Sequence, residues 1–170
     1  NLLGWSLGGQ IALEMAAILE MKGFESINVV LLDTYLPDDS MLNPGDRREE
    51  EDYLIQERNE MLKKYEAAYV EKVISAMSAE RDLANSPISN HLNHTKVVLF
   101  KATQNVSIEG NNKGNSETED ENTNYSAANN IDLIATHVEV INLDCNHYTI
   151  LETNSENISN YLLSAHMTII

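Results

Sequence analysis

The sequence predicts an α/β fold, a mostly parallel sheet flanked by helices, and three observations carry that expectation. The opening residues run strand, helix, strand, the repeating unit of a doubly wound parallel sheet. Ile27 to Leu32 (INVVLL) is a continuous apolar, β-branched run bounded by Ser26 and Asp33, as a strand buried on both faces reads. Two further strand-like segments, Lys96 to Ala102 (KVVLFKA) and His137 to Leu143 (HVEVINL), follow after stretches of helical periodicity.

The first element is a short buried strand containing Leu2 and Leu3, which feeds the turn Gly4-Trp5-Ser6-Leu7-Gly8. This GxSxG pattern between a strand and a helix holds a serine on a strained backbone with its hydroxyl exposed, and its glycines leave room for strand and helix to cross. From Leu7 to Met21 the spacing places Ile11, Met15, Ile18 and Leu19 on one helical face, with Ala12 and Ala16 allowing close approach, and Gly23 caps the helix end. Asp33 follows the second strand, where it reads either as a turn aspartate or as the acid that orients a catalytic histidine.

Residues 37–92 form an expected insertion. A turn-rich opening leads to a strongly helical segment, Arg47 to Glu80, in which Leu54, Met61, Leu62, Tyr65, Tyr69, Val73 and Met77 recur at helical spacing. Two helices are expected, either as a plain amphipathic pair or as a lid over an apolar substrate pocket, and Ser86-Pro87 ends them. Residues 103–124 are dominated by Asn, Ser, Gly, Glu and Asp and read as an exposed acidic loop. Tyr125 to Thr136 reads as a short helix. The segment Asp144-Cys145-Asn146-His147-Tyr148 is a loop after the fourth strand, and a last helix is expected over Ser155 to His166, with Ile158, Tyr161, Leu162 and Ala165 on its apolar face.

Composition narrows the function. The 170 residues allow one domain with a real core, and 42% hydrophobic content is ordinary for a globular protein. A formal charge of −16 argues against a nucleic-acid surface, which needs clustered Lys and Arg, and against an anionic membrane. The single cysteine, Cys145, cannot form an internal disulfide, and no long apolar run or basic leader occurs, so a reducing cytoplasmic setting is expected. Asn-x-Ser/Thr triplets at Asn93, Asn105, Asn124 and Asn157 follow from the abundance of Asn and are discounted as glycosylation sites. No glycine-rich phosphate loop, nucleotide fingerprint or paired Cys or His metal spacing is present, so neither a metal nor a nucleotide cofactor is indicated.

A hydroxyl nucleophile needs a base to take its proton and a third group to hold the base in the right tautomer. Ser6, Asp33 and His147 each fall at the carboxyl end of a strand, so they can converge on one sheet edge. His91 and His94 precede a strand, His137 begins one and His166 is near the end of the chain, which leaves His147 as the base. Many hydrolases of this sheet type carry the acid one strand later, but that position reads Lys101-Ala102-Thr103-Gln104; Asp144 reads as a loop-shaping side chain, so Asp33 is preferred. The backbone amide of Leu7, directly after the nucleophile, is one expected oxyanion donor.

NLLGWSLGGQIALEMAAILEMKG followed by INVVLLDTYLP, with the later CNHYTIL, resembles the thioesterase domains that end nonribosomal peptide synthetases and, more loosely, those of polyketide synthases. The resemblance implies an α/β-hydrolase fold with a helical lid insertion. It also implies that the upstream strands and the loop giving the second oxyanion donor are missing from this chain. By that resemblance Ser6 accepts an acyl or peptidyl chain from the phosphopantetheine of a carrier domain, with His147 as base and Asp33 orienting it. The ester is then released by hydrolysis or macrocyclisation, without a cofactor of the domain's own. The sequence departs from the family in its acidic Asn-rich segment, Gln104 to Asn130, and in Cys145-Asn146, where a glycine often precedes the histidine. A stand-alone editing thioesterase and a non-catalytic truncated interaction module are the alternatives, and the 170 residues alone are expected to be poorly active.

Overall fold

A computed structural model describes residues 1–37, 55, 56, 58–104 and 126–164. The expected acidic loop over 103–124 lies outside these residues apart from Thr103 and Gln104, as do the first part of the predicted insertion helix and the end of the last helix. The chain divides into two compact units, Leu36–Pro87 and the remainder.

In the larger unit, β1 (Leu2–Trp5), β2 (Asn28–Leu32), β3 (Leu92–Ala102) and β4 (Ala135–Leu143) form a parallel sheet in the order β1-β2-β3-β4. Val29 pairs with both Leu2 and Val97, and Phe100 pairs with both Leu32 and Ile141, so the carboxyl ends of the strands lie along one edge. Alternate residues point to opposite faces. Val30, Leu32, Val98, Phe100 and Leu143 make one face, on which Ile150 and Ile158 of α3 (Ile150–Ser164) pack. The Tyr161 ring meets Phe100 edge-on at 5.4 Å. Val29, Leu31, Val97 and Leu99 are buried on the other face. These observations establish a parallel sheet flanked by helices, as the sequence predicts.

Helix α1 (Leu7–Met21) packs on β1, β2 and β3 with Ala12 and Ala16 in close approach as expected, but without the larger apolar side chains its spacing placed beside them. Ala12, Leu13, Ala16 and Ala17 are buried, whereas Ile11, Met15 and Ile18 are exposed. The helix carries two apolar faces, and the one made of small side chains sits against the sheet. Its end is as expected: Gly23 takes a φ of 86°, its N–H donates to Glu20 O, and Phe24 N–H donates to Leu19 O, a pairing of the Schellman type.

Several boundaries differ from the sequence reading. β1 is an edge of the described sheet with Leu3 and Trp5 exposed, so it is not the buried strand that was expected. β3 starts at Leu92, with an irregularity before Lys96, and therefore includes His94. Of the short helix expected over Tyr125 to Thr136, the described residues form turns and a 3₁₀ segment, Ile131–Leu133, with Ala135 and Thr136 already in β4, because Asn129 and Asn130 both adopt left-handed backbone. α3 begins at Ile150, before the expected Ser155.

In the smaller unit, α2 (Ala67–Ala84) stops before Ser86-Pro87 as the sequence indicates. Val70 is its buried residue, while Tyr65 and Tyr69 of the expected apolar stripe are exposed. No helix among the described residues is long and apolar enough to cross a membrane.

One side chain ties α1 to the irregular start of β3. Glu20 accepts hydrogen bonds from the backbone N–H groups of Asn93 (3.0 Å), His94 (3.0 Å) and Thr95 (2.5 Å) and from the Thr95 hydroxyl (2.6 Å). The interruption of the ladder before Lys96 exposes these donors, and the carboxylate satisfies them. Desolvation pushes the Glu20 carboxyl up, but the bonds from Thr95, Asn93 and His94 outweigh it and hold its pKa below the ordinary 4.5. A depressed folded-state pKa contributes stability above the unfolded value and loses it as pH falls through the folded one. Glu20→Ala is therefore expected to cost about 2 kcal/mol in urea unfolding at neutral pH. The difference from the parent should shrink as the pH is taken below 4.5.

Candidate active site

Ser6 joins β1 to α1 with φ 53° and ψ −124°, a backbone region that side-chain-bearing residues rarely occupy. Its N–H donates to Leu32 O at 3.0 Å, and its carbonyl accepts from Gly9 N–H at 2.9 Å and from the buried Thr34 hydroxyl at 3.1 Å. The Ser6 side chain makes no capping bond to α1, so its hydroxyl is not spent on the helix. Leu7 opens that helix, where the first amides have no intrahelical acceptor and the dipole favours negative charge.

The crossing is tight, though not at both glycines of the motif. A Cβ on Gly4 would overlap the backbone of Gly8 and Gly9, and one on Gly9 would meet Thr34 Cβ at 2.8 Å, but one on Gly8 would meet nothing within 4 Å. Gly9, outside the pentapeptide, is thus the glycine that α1 requires against the loop after β2.

Asp33, at the end of β2, has φ 46°. Its N–H donates to Phe100 O at 2.8 Å, Oδ1 accepts from Ala102 N–H at 2.9 Å, and Oδ2 lies 2.8 Å from His147 Nδ1. The acid thus reaches the end of β3, where other hydrolases of this sheet type carry it, and takes hydrogen bonds there. Asp144 is engaged elsewhere, accepting from Gln104 Nε2 at 2.8 Å.

His147 sits in the loop after β4, and the loop explains the unusual residues before it. The Asn146 side-chain oxygen accepts from the N–H groups of Tyr148 (3.0 Å) and Thr149 (3.1 Å), closing the turn that leads into α3. Cys145 is buried among core residues, and desolvation pushes its thiol above the ordinary range. Because a carboxylate only accepts, Nδ1 of His147 carries the proton toward Asp33 and Nε2 is left as the acceptor. The Trp5 ring stacks on the imidazole at 5.4 Å and 30°, and the Tyr148 ring meets it edge-on at 5.3 Å. This stack brings the histidine beside the residue that precedes Ser6. No hydrogen bond joins the Ser6 hydroxyl to His147 among the described residues.

A second layer holds these loops. Asn129 is buried, and its Nδ2 donates to Thr34 O at 3.1 Å, while Thr34 in turn bonds Ser6. The turn that presents Asn129 is closed by Ser126, whose hydroxyl accepts from the N–H groups of Ala128 (3.2 Å) and Asn130 (2.8 Å) and donates to Asp132 (2.5 Å). Sequence reasoning missed Asn129. Its only local signal is an Asn-Asn pair, suited to left-handed backbone. Among the described residues no cluster of three or more His, Cys, Asp or Glu is arranged to hold a metal.

A parallel sheet flanked by helices, a serine on a strained strand-to-helix turn and a histidine held by an acid are features of the α/β-hydrolase class. Within that class the chain belongs to the thioesterase domain family, whose model matches residues 1–164. It is 58% identical over 41 residues to the spectinabilin polyketide synthase system protein NorC of Streptomyces orinoci, a match covering 24% of this chain and 2% of that protein. The chain therefore spans only a small part of that relative. Its fold is similar to that of the thioesterase domain SrfTE, which cyclises the lipopeptide antibiotic surfactin, with a TM-score of 0.52 and 15% identity over 99% of this chain and 67% of the other. By family and fold the chain is a hydrolase by resemblance.

The two glycines give opposite expectations. Gly8→Ala should hold or raise the unfolding midpoint, since alanine is the better helix former by about 1 kcal/mol and its methyl meets nothing. Gly9→Ala should lower stability by roughly 1–3 kcal/mol through overpacking on Thr34. Thermal unfolding of both variants checks the pair.

Proposed function

We propose that the chain releases an acyl or peptidyl group from the phosphopantetheine thiol of a carrier domain by way of an ester on Ser6. The observation that carries this reading is the contact of 2.8 Å between His147 Nδ1 and Asp33 Oδ2, on an imidazole stacked beside the strained serine turn. Asp33 fixes the tautomer, which leaves Nε2 of His147 to accept the Ser6 proton as Oγ attacks the thioester carbonyl. The amide of Leu7 donates to the developing oxyanion, strengthened by the first turn of α1. Collapse of the tetrahedral intermediate breaks the C–S bond, and the imidazolium returns its proton to the departing sulfur. Water, or a hydroxyl or amine of the acyl chain itself, then attacks the ester, giving a free acid or a macrocycle.

The match to a polyketide synthase system protein and the fold of a domain that cyclises a lipopeptide support a carrier-bound substrate in nonribosomal peptide or polyketide synthesis. The reaction needs no cofactor beyond the phosphopantetheine of the carrier. The segment between β2 and β3 has the part of a lid by family resemblance, and the lone buried Cys145 suits a reducing cytoplasm.

Incubation with an acyl thioester of a pantetheine-like thiol, followed by mass spectrometry, should show one acyl group on the Ser6 peptide. Ser6→Ala should abolish it, and Asp33→Asn should slow acylation on the order of 10⁴-fold, as loss of the tautomer-fixing acid does elsewhere. Acylation that survives Ser6→Ala would sink the reading.

A further inference from the structure

We propose that Trp5 is a positioning residue for His147, its indole face holding the imidazole in place and stabilising the imidazolium formed during acyl transfer. The inference rests on the functional reading above for its catalytic consequence, but its physical content is a contact between two rings. Their centroids are 5.4 Å apart and their planes 30° apart, inside the range of stacked pairs and of cation–π attraction. Trp offers the most negative face of the aromatic side chains. Trp5 is 39% exposed, so this ring is held at the site without being buried in the core.

The chain builds this contact from two directions. Trp5 is the last residue of β1, paired with Leu32 of β2, and the residue after it is the strained Ser6. The Asn146 turn fixes His147 from the other side, with Asp33 holding Nδ1. Asp33 defines one nitrogen but leaves the ring free to swing about that bond. A stacked indole removes this freedom, which keeps Nε2 directed at one position.

The charge argument follows the proton. In acylation the Ser6 proton moves to His147 Nε2 as the Oγ–C bond forms, and it passes to sulfur as the C–S bond breaks. In release the attacking water or hydroxyl gives its proton to Nε2, and Ser6 recovers it as the ester bond breaks. The imidazolium is therefore present on the way through both halves, facing the indole each time. The other titratable groups near the ring are Asp33, which favours the cation, and Tyr148, edge-on to it. Behind them stand Cys145 and Asp144 in the same loop and Tyr35, whose hydroxyl is held above the ordinary phenol range by desolvation and then by the Asp33 and Tyr148 charges.

The test is an NMR titration of the His147 ring in the parent chain, Trp5→Phe and Trp5→Leu, run beside a pH profile of acylation. Loss of the indole should lower the His147 pKa by roughly 0.4–1.5 pH units in Trp5→Leu, with Trp5→Phe between it and the parent. The acid limb of the acylation profile should move to lower pH by the same amount, and the plateau rate should fall about 2- to 30-fold. A His147 titration that is unmoved, or that rises, in both variants overturns the proposal. If Trp5→Leu does not fold, Trp5→Phe alone decides by the same sign. Should the ring titration shift while neither this chain nor one extended upstream is acylated, the contact stands and the thioesterase reading fails.

Discussion

Asp33 is the residue on which the geometry of the site depends. From the end of β2 it bonds Phe100 and Ala102 of β3 through its N–H and Oδ1, and His147 beyond β4 through Oδ2. One residue thus fastens three consecutive strand ends at the sheet edge where strand-end loops collect. A carboxylate in that position both orders the loops and sets the tautomer of the imidazole. The left-handed backbone at φ 46° turns the chain so that its side chain reaches across to the next strand instead of continuing along β2.

Strain is gathered around the same point. Among the described residues the non-glycine positions with positive φ are Ser6, Asp33, Asn129 and Asn130, and three of them are linked through Thr34. Thr34 follows Asp33 in the chain, bonds the Ser6 carbonyl and accepts from Asn129, while its side chain fills the space left by Gly9. Each such conformation costs on the order of 1–3 kcal/mol and persists only when its surroundings dictate it. Here the close crossing of α1 and the buried hydroxyl of Thr34 supply that constraint. The small-residue face of α1 is what permits the crossing, at the expense of leaving Ile11, Met15 and Ile18 uncovered in this chain.

The parts legible in the sequence are those whose chemistry is local. A serine between glycines at the junction of strand and helix, an aspartate after INVVLL and a histidine after HVEVINL could each be assigned to a strand end, and the structure brings the latter two into contact. The parallel sheet followed from the same runs. What could not be read depends on long-range packing. Ala12 and Ala16 signal a close approach of α1, but nothing local says that Leu13 and Ala17 join them against the sheet while Ile11, Met15 and Ile18, with the stronger apolar spacing, stay out. The motif points to Gly8, whereas the residue pressed by a distant threonine is Gly9. Asn129 lies in a segment whose Ala, Ile and Leu suggest a helix, and its left-handed turn makes sense only against Thr34. The Glu20 clamp likewise answers an irregularity in a strand far along the chain.

The central claim is that Asp33, through His147, prepares Ser6 to attack a carbonyl while Leu7 receives the negative charge. The most direct measurement is a crystal structure of the chain after reaction with an alkyl fluorophosphonate, whose tetrahedral adduct stands in for the acyl-transfer intermediate. The expected result is phosphorus bonded to Ser6 Oγ, one of its oxygens about 3 Å from Leu7 N, and His147 Nε2 within about 3 Å of Oγ with Nδ1 still on Asp33. An adduct on another residue, or a His147 ring turned from Ser6 when the adduct is present, would contradict the account.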